Sequence, residues 1–159
     1  MLGKIIAVDL DGTILEGDGV AEFGAVKPLA RETLNALWYW GYKIIVWTCR
    51  QDLLAVSQYL REMKIPYDAI NENVPEVLEA LGWTWEGAPR KIYYTHLIDD
   101  RAGFDGDWQG VARRFCPRGG EVYAATEEGR AFLQLNPVTL AVQHEVQLEE
   151  RQTDCVPPS

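Results

Sequence analysis

Predominantly apolar residues form short runs at 5–8, 42–47, 67–71 and 92–98, and the first of these runs is uninterrupted. The first two runs are rich in β-branched residues and stop abruptly at polar ones, which is typical of strands buried on both faces of a parallel sheet. The third run predicts a weaker strand, and the fourth combines aromatic and aliphatic residues. The pattern therefore predicts four strands.

Between these runs the apolar residues recur every three to four positions, as they do on one face of a helix. The first predicted helix begins at Pro28 and ends before Gly41, the second includes Leu53 and Met63, and a short third covers 75–81. Helices that alternate with strands predict right-handed βαβ crossovers. We therefore expect an α/β fold with a doubly wound, mostly parallel sheet.

Beyond Asp100 the pattern is weaker, and it predicts helices at 108–115 and 127–135 and a strand at 121–125. We expect one domain over residues 1–136, followed by a C-terminal arm or tail at 137–159. Within that arm, apolar residues alternate from 138 to 146 as in a strand. The arm then either packs on its own domain or reaches a neighbouring subunit, which leaves a homo-oligomer open.

Composition narrows the classes of partner. With 15 basic and 24 acidic residues the net charge is −9, which argues against a basic nucleic-acid-binding surface and against docking on anionic lipid. The three cysteines are too widely spaced for a disulfide framework or a metal knuckle. We see neither a signal peptide nor an apolar run near 18 residues. A cytoplasmic protein without membrane contact is therefore expected.

Polar side chains that could take part in catalysis or metal binding stand at or near the ends of three predicted strands. Because ligands of parallel α/β sheets bind beyond the carboxyl ends of the strands, we expect these side chains to share one crevice. Several carboxylates in one crevice repel each other unless a cation lies among them, and hard oxygen ligands favour Mg²⁺. The candidate residues are Asp9, Asp11, Thr48, Lys91, Asp99 and Asp100.

Four segments resemble the motifs of the haloacid dehalogenase superfamily of phosphohydrolases. IIAVDLDGTIL resembles the nucleophile motif, IIVWTCR the motif that ends in Thr or Ser, Lys91 the lysine motif and LIDDRA the final acidic motif. The resemblance covers residues 4–108, and the WTCR, AINxNxP and IDDR segments are most similar to small capless members. It implies a Rossmann-like fold without a cap domain and an aspartyl-phosphate intermediate.

The residue types suit that chemistry. Asp9 is our expected nucleophile, since an aspartate is normally ionised near neutral pH. Asp11 lies two positions further along an extended chain, so it faces the same side and is our expected general acid and base. Thr48 and Lys91 are expected to contact the phosphoryl oxygens.

We expect Mg²⁺ to be held by Asp9, by the backbone carbonyl of Asp11 and by Asp99. Asp100 is the alternative direct ligand. The stretches before Thr48 and before Lys91 leave room for a short flap at 14–27 and for no cap domain. The predicted function is Mg²⁺-dependent hydrolysis of a small-molecule phosphate ester; the alternative is a catalytically silent module that binds phosphate or protein on the same fold.

Overall fold

The computed structural model describes residues 2–20 and 22–116, which form a four-stranded, all-parallel sheet flanked by four helices. The strand order is β3-β2-β1-β4. The predicted α/β fold with a parallel sheet is therefore confirmed. The strands are β1 (Ile5–Asp9), β2 (Lys43–Trp47), β3 (Ala69–Ile70) and β4 (His96–Ile98). The helices are α1 (Ala30–Tyr39), α2 (Leu53–Glu62), α3 (Pro75–Leu81) and α4 (Trp108–Phe115).

The buried inner strand β1 explains the first apolar run of the sequence. Its alternate residues point to opposite faces, so Ile6 and Val8 pack with α1, α2 and α4, whereas Ile5 and Ala7 pack beside α3. Helices thus cover both faces of the sheet. Full burial of each large apolar side chain contributes roughly 1.5–3 kcal/mol, and no polar position interrupts β1 before Asp9.

Several predicted elements are shorter than the pattern indicated; β3, for example, covers Ala69–Ile70 and not 67–71. Helix α1 begins at Ala30 instead of Pro28, because Leu29 has a left-handed backbone with φ of 63°. Strand β4 covers His96–Ile98 and not 92–98. Upstream of it, the Tyr93 N–H donates to the Asn73 side chain at 2.6 Å, and the Ile5 N–H donates to the Thr95 hydroxyl oxygen at 3.1 Å. In this segment, side chains take the place of the backbone hydrogen-bond partners that a β ladder would supply.

The segment after β1 folds back as a short flap, as the sequence predicted. The Glu16 N–H donates to the Ala25 carbonyl at 2.8 Å, and the Lys27 N–H donates to the Ile14 carbonyl at 2.9 Å. Within the described residues no cap domain is present between the strands.

The predicted strand at 121–125, the helix at 127–135, the boundary at 136 and the arm at 137–159 lie outside the described residues. In the part of the chain that is described, the longest helices have 10 residues, too few to cross a bilayer.

Candidate functional site

Three carboxylates meet at the carboxyl edge of the two neighbouring strands β1 and β4. The strands pair in parallel with Val8 opposite Ile98, so Asp9 and the Asp99–Asp100 pair emerge side by side. One oxygen from each of Asp9, Asp99 and Asp100 lies within 4.8 Å of the other two. We call these residues the aspartate triad. The structure thus brings together three of the predicted site residues.

The buried hydroxyl of Thr13 joins two members of this triad. Its Oγ1 lies 3.0 Å from Oδ2 of Asp9 and 3.1 Å from Oδ1 of Asp100, and it accepts the N–H of Asp100 at 2.9 Å. A hydroxyl has one proton, so it donates to one carboxylate at a time. Thr13 therefore fixes the two side chains in place but compensates only part of their charge.

The electrostatics of the triad show where negative charge is least tolerated. Burial raises the pKa of Asp9 to about 7; the Thr13 hydrogen bond opposes this rise, and the charges of Asp99 and Asp100 add to it. Burial also acts to raise the pKa of Asp100, but hydrogen bonds from Asp9 and Thr13 outweigh it and lower that pKa. Negative charge is therefore least favourable at Asp9, and a bound cation would relieve it.

The turn that follows β1 allows Asp100 to approach closely. The N–H groups of Ile14 and Leu15 both donate to the Leu10 carbonyl, at 2.9 and 3.0 Å, which curls the chain tightly. Gly12 has φ of +87°, and a Cβ there would lie 2.8 Å from Oδ2 of Asp100. Position 12 therefore requires glycine both for its backbone conformation and for the space it leaves.

Helix α4 anchors the same turn from the core. The indole N–H of the buried Trp108 donates to the Thr13 carbonyl at 3.1 Å, and the Thr33 hydroxyl of α1 donates to the Trp108 carbonyl at 3.2 Å. The hydrogen bonds run from α1 through α4 to the turn that carries Thr13.

The carboxylate of Asp11 does not join the triad in this structure. It forms a two-point ion pair with Arg50, in which Nε donates to Oδ2 and Nη2 donates to Oδ1, each at 2.8 Å. Both side chains are largely buried, with 11% of Asp11 and 15% of Arg50 exposed. The hydrogen bond to Asp11 raises the pKa of Arg50. The metal contact predicted for the Asp11 carbonyl stays a prediction.

Thr48 follows β2 directly, and β2 pairs with β1 so that Trp47 lies opposite Asp9. The structure thus places Thr48 at the same sheet edge as Asp9. The Arg50 N–H donates to the Thr48 hydroxyl oxygen at 3.1 Å, so the hydroxyl keeps its own proton for another acceptor.

Two lysines, the predicted Lys91 and Lys27 of the flap, differ in their contacts. Lys91 is exposed in the segment between α3 and β4, and its ammonium makes no ion pair with the residues described. Its phosphoryl contact stays a prediction. Lys27, the last residue of the flap, donates from Nζ to the Gly12 carbonyl at 2.6 Å. Sequence reasoning missed Lys27, because a lone lysine before a proline looks like a solvated one.

A solved structure of a conserved protein coded by a locus of Bacteroides thetaiotaomicron is similar to this chain. The two are 34% identical with a TM-score of 0.54, and the match covers 65% of this chain and 82% of that one. The chain belongs to the same family as this Bacteroides protein. The description of the Bacteroides relative states no activity. The similarity therefore supports the fold, and the chemistry has to be argued from the residues described above. No family model and no curated protein matches the chain.

Proposed function

We propose that this protein is a Mg²⁺-dependent phosphatase that hydrolyses small-molecule phosphate monoesters through an aspartyl-phosphate. The observation that carries the proposal is the convergence of Asp9, Asp99 and Asp100 at one sheet edge. Phosphoryl transfer needs a nucleophile next to concentrated positive charge, and a carboxylate beside a cation site meets that need. The four motifs that resemble those of haloacid dehalogenase phosphohydrolases support the same chemistry.

The donor set fits Mg²⁺. Asp9, Asp99 and Asp100 offer hard carboxylate oxygens, and within the described residues no histidine or cysteine belongs to this cluster. Burial, followed by the charges of Asp99 and Asp100, raises the pKa of Asp9, so a cation at this place would offset an unfavourable negative charge. When bound, Mg²⁺ would keep the carboxylates ionised and neutralise charge on the phosphoryl oxygens.

In the first step, a carboxylate oxygen of Asp9 attacks phosphorus and forms a new P–O bond. The ester P–O bond breaks, and its electron pair goes to the leaving oxygen, which takes a proton from Asp11. Because a carboxylate held at two points by a guanidinium carries no proton, Asp11 has to leave Arg50 and take up a solvent proton first. The observed pair is therefore the resting arrangement.

In the second step, water attacks the phosphorus of the aspartyl-phosphate, and the Asp11 carboxylate accepts a proton from that water. The bond between Asp9 and phosphorus breaks, which releases inorganic phosphate and restores the Asp9 carboxylate. Thr48 and Lys91 are assigned to the phosphoryl oxygens, where charge is concentrated in the transition state.

The ion pair between Asp11 and Arg50 favours a second candidate, a silent module that binds phosphate or protein on the same fold. In such a module Asp11 would remain paired with Arg50 permanently, and a cation at the triad would bind phosphate without turnover. The two candidates differ in whether a covalent phosphoenzyme forms.

The experiment is to incubate the full-length protein with diverse phosphate monoesters, with Mg²⁺ and with chelator, and to measure released phosphate. We expect turnover with Mg²⁺, none with chelator, and none for Asp9→Asn. Asp105→Asn removes an exposed carboxylate from the loop after the 3₁₀ turn Asp100–Ala102, and it should retain activity. Acid-quenched samples should show one phosphoryl group on wild type. Phosphate binding without turnover or phosphoenzyme would favour the silent module.

A further inference from the structure

Arg50 connects Asp11 to the flap, which is the segment 14–27. Its guanidinium lies over the Phe23 ring, 4.2 Å from the ring centre, and its Nη2 lies 3.4 Å from the Glu22 carbonyl oxygen. Phe23 also stacks on Tyr59 of α2, with ring centres 4.3 Å apart, and the Tyr59 hydroxyl donates to the Gly24 carbonyl at 2.6 Å. One arginine thus contacts both the flap and the expected general acid.

The flap also covers the Asp11 carboxylate directly. Gly19 has φ of +79°, and a Cβ at this position would lie 2.9 Å from Oδ2 of Asp11. The carboxylate therefore lies between Gly19 of the flap and the guanidinium of Arg50. Asp11 has to move away from both to reach a leaving group.

A cavity of about 420 Å³ opens beside the guanidinium. It has an open mouth, so a small anion has a route from solvent to Arg50. Its lining includes Gly19, Val20, Phe23, Cys49 and Arg50.

The chemistry of a guanidinium allows an exchange of partners at this place. Its planar N–H groups match the spacing of two carboxylate oxygens and also the spacing of two phosphoryl oxygens. A phosphate monoester carries about two negative charges near neutral pH, compared with one on Asp11. A phosphoryl group near the triad would therefore compete with Asp11 for the same donors.

We propose that Arg50 is an exchangeable phosphoryl ligand that pairs with Asp11 in the resting protein and moves its N–H donors to the phosphoryl group when substrate binds. The exchange frees the Asp11 carboxylate to turn towards the leaving oxygen, and it couples that turn to a shift of the flap. This inference rests on the proposed function. A purely structural Arg50 would hold Asp11 whether or not a phosphoryl group is present.

The test measures the affinity for inorganic phosphate by calorimetry, with Mg²⁺ present, in an Asp11→Asn background. This background removes the competing carboxylate, and it also lets Arg50 be neutralised without leaving a buried carboxylate unpaired. We expect Asp11→Asn to bind phosphate more tightly than wild type. Adding Arg50→Gln should then weaken binding by at least about tenfold, since hydrogen bonds to charged groups are strong.

Two further variants sharpen the result. Arg50→Lys in the same background keeps the charge but loses the two-point geometry, so its affinity should be intermediate. Arg31→Gln removes the same charge near the far end of α2, where Arg31 donates to the Met63 carbonyl, and it should change phosphate affinity by less than about twofold. Thermal unfolding of each variant checks that it is folded.

The inference is overturned if Arg50→Gln leaves the phosphate affinity of the Asp11→Asn background unchanged, or if that background binds no phosphate. Failure of the proposed function has a different signature, because it appears as wild-type protein that releases no phosphate from any ester. Because phosphate binding and ester turnover are measured separately, failure of the inference can be distinguished from failure of the proposed function.

Discussion

The side-chain amide of Asn71 binds the backbone of Thr48 at two points: its oxygen accepts the Thr48 N–H at 2.8 Å, and its nitrogen donates to the Thr48 carbonyl at 2.7 Å. Asn71 follows β3 with φ of 55°, a left-handed conformation that asparagine tolerates better than most residues. Because Thr48 directly follows Trp47, which pairs with Asp9, this amide fixes where Thr48 leaves the sheet relative to Asp9.

Replacing Asn71 with alanine should therefore destabilise the protein. The change removes two part-buried hydrogen bonds and puts alanine, which tolerates a left-handed conformation less well than asparagine, at this position, so we expect a loss of about 2–3 kcal/mol in the free energy of unfolding. Urea denaturation measures it. Asn71→Gly is the matched control, because glycine relieves the backbone strain and isolates the hydrogen bonds. A loss below about 0.5 kcal/mol for both variants would contradict the role of the amide.

Metal-free protein should lose stability as pH rises through the range where Asp9 is protonated only when folded. The ordinary pKa of aspartate is 3.8, and the folded pKa of Asp9 is about 7. Between these values the folded state binds a proton that the unfolded state releases, so the free energy of unfolding falls as pH rises. Asp9→Asn lacks this proton, and at pH 8 in chelator it should be the more stable protein.

The expected gain for Asp9→Asn is roughly 1–2 kcal/mol, because the side chain is only half-buried and solvent screens its charge. The gain should disappear at acidic pH below the ordinary aspartate pKa of 3.8, where Asp9 is protonated in both states. Asp105→Asn serves as the control, since Asp105 is exposed, and its stability should follow the wild-type pH profile. If the free energy of unfolding of wild type and of Asp9→Asn changed in parallel with pH, the raised pKa would not belong to Asp9.

Mg²⁺ should raise the unfolding temperature of wild-type protein, because it binds the folded triad and relieves the repulsion there. Alanine at the direct ligand, Asp99 or Asp100, should weaken the apparent Mg²⁺ affinity by at least about tenfold, and alanine at the other should weaken it much less. Calorimetric titration distinguishes them. Equal effects would mean that both coordinate the ion or that neither does.

The role of Asp11 predicts a dependence on the leaving group. Asp11→Asn should lose about 10²–10⁴-fold in turnover of alkyl phosphates, whose leaving oxygens need a proton. The loss should be much smaller for nitrophenyl phosphate, because nitrophenolate leaves without one. Steady-state rates on both substrates provide the comparison. Equal losses on the two substrates would mean that Asp11 has a structural role, for example in binding Arg50, and is not the general acid.

Strand-end residues could be predicted because their positions follow from local pattern and sheet geometry. An uninterrupted apolar run before Asp9 and an aromatic and aliphatic run before Asp99 predict parallel strands, and parallel strands gather their carboxyl ends at one edge. The length of β4 could not be predicted, because it depends on the contact between Asn73 and the Tyr93 N–H, 20 positions apart.

The pairing of Asp11 with Arg50 was missed for a similar reason. The residues are 39 positions apart, and nothing in the local pattern distinguishes Arg50 from a solvated arginine after a strand. Thr13 lies in the first motif, but the sequence predicts no role for its side chain. Its bond to Asp9 is local, but its contacts with Asp100 span 87 positions and depend on the turn at Gly12.

The bond from Trp108 to the Thr13 carbonyl defines how much of the chain the site needs. All four motifs end before α4, so a shortened protein that stops at Asp107 would contain every expected chemical residue. It would nevertheless lack the indole that fastens the turn between Asp9 and the flap. A piece intended for expression or for fusion with another protein therefore has to extend at least through α4, because a cut before Trp108 would release the turn that holds the nucleophile.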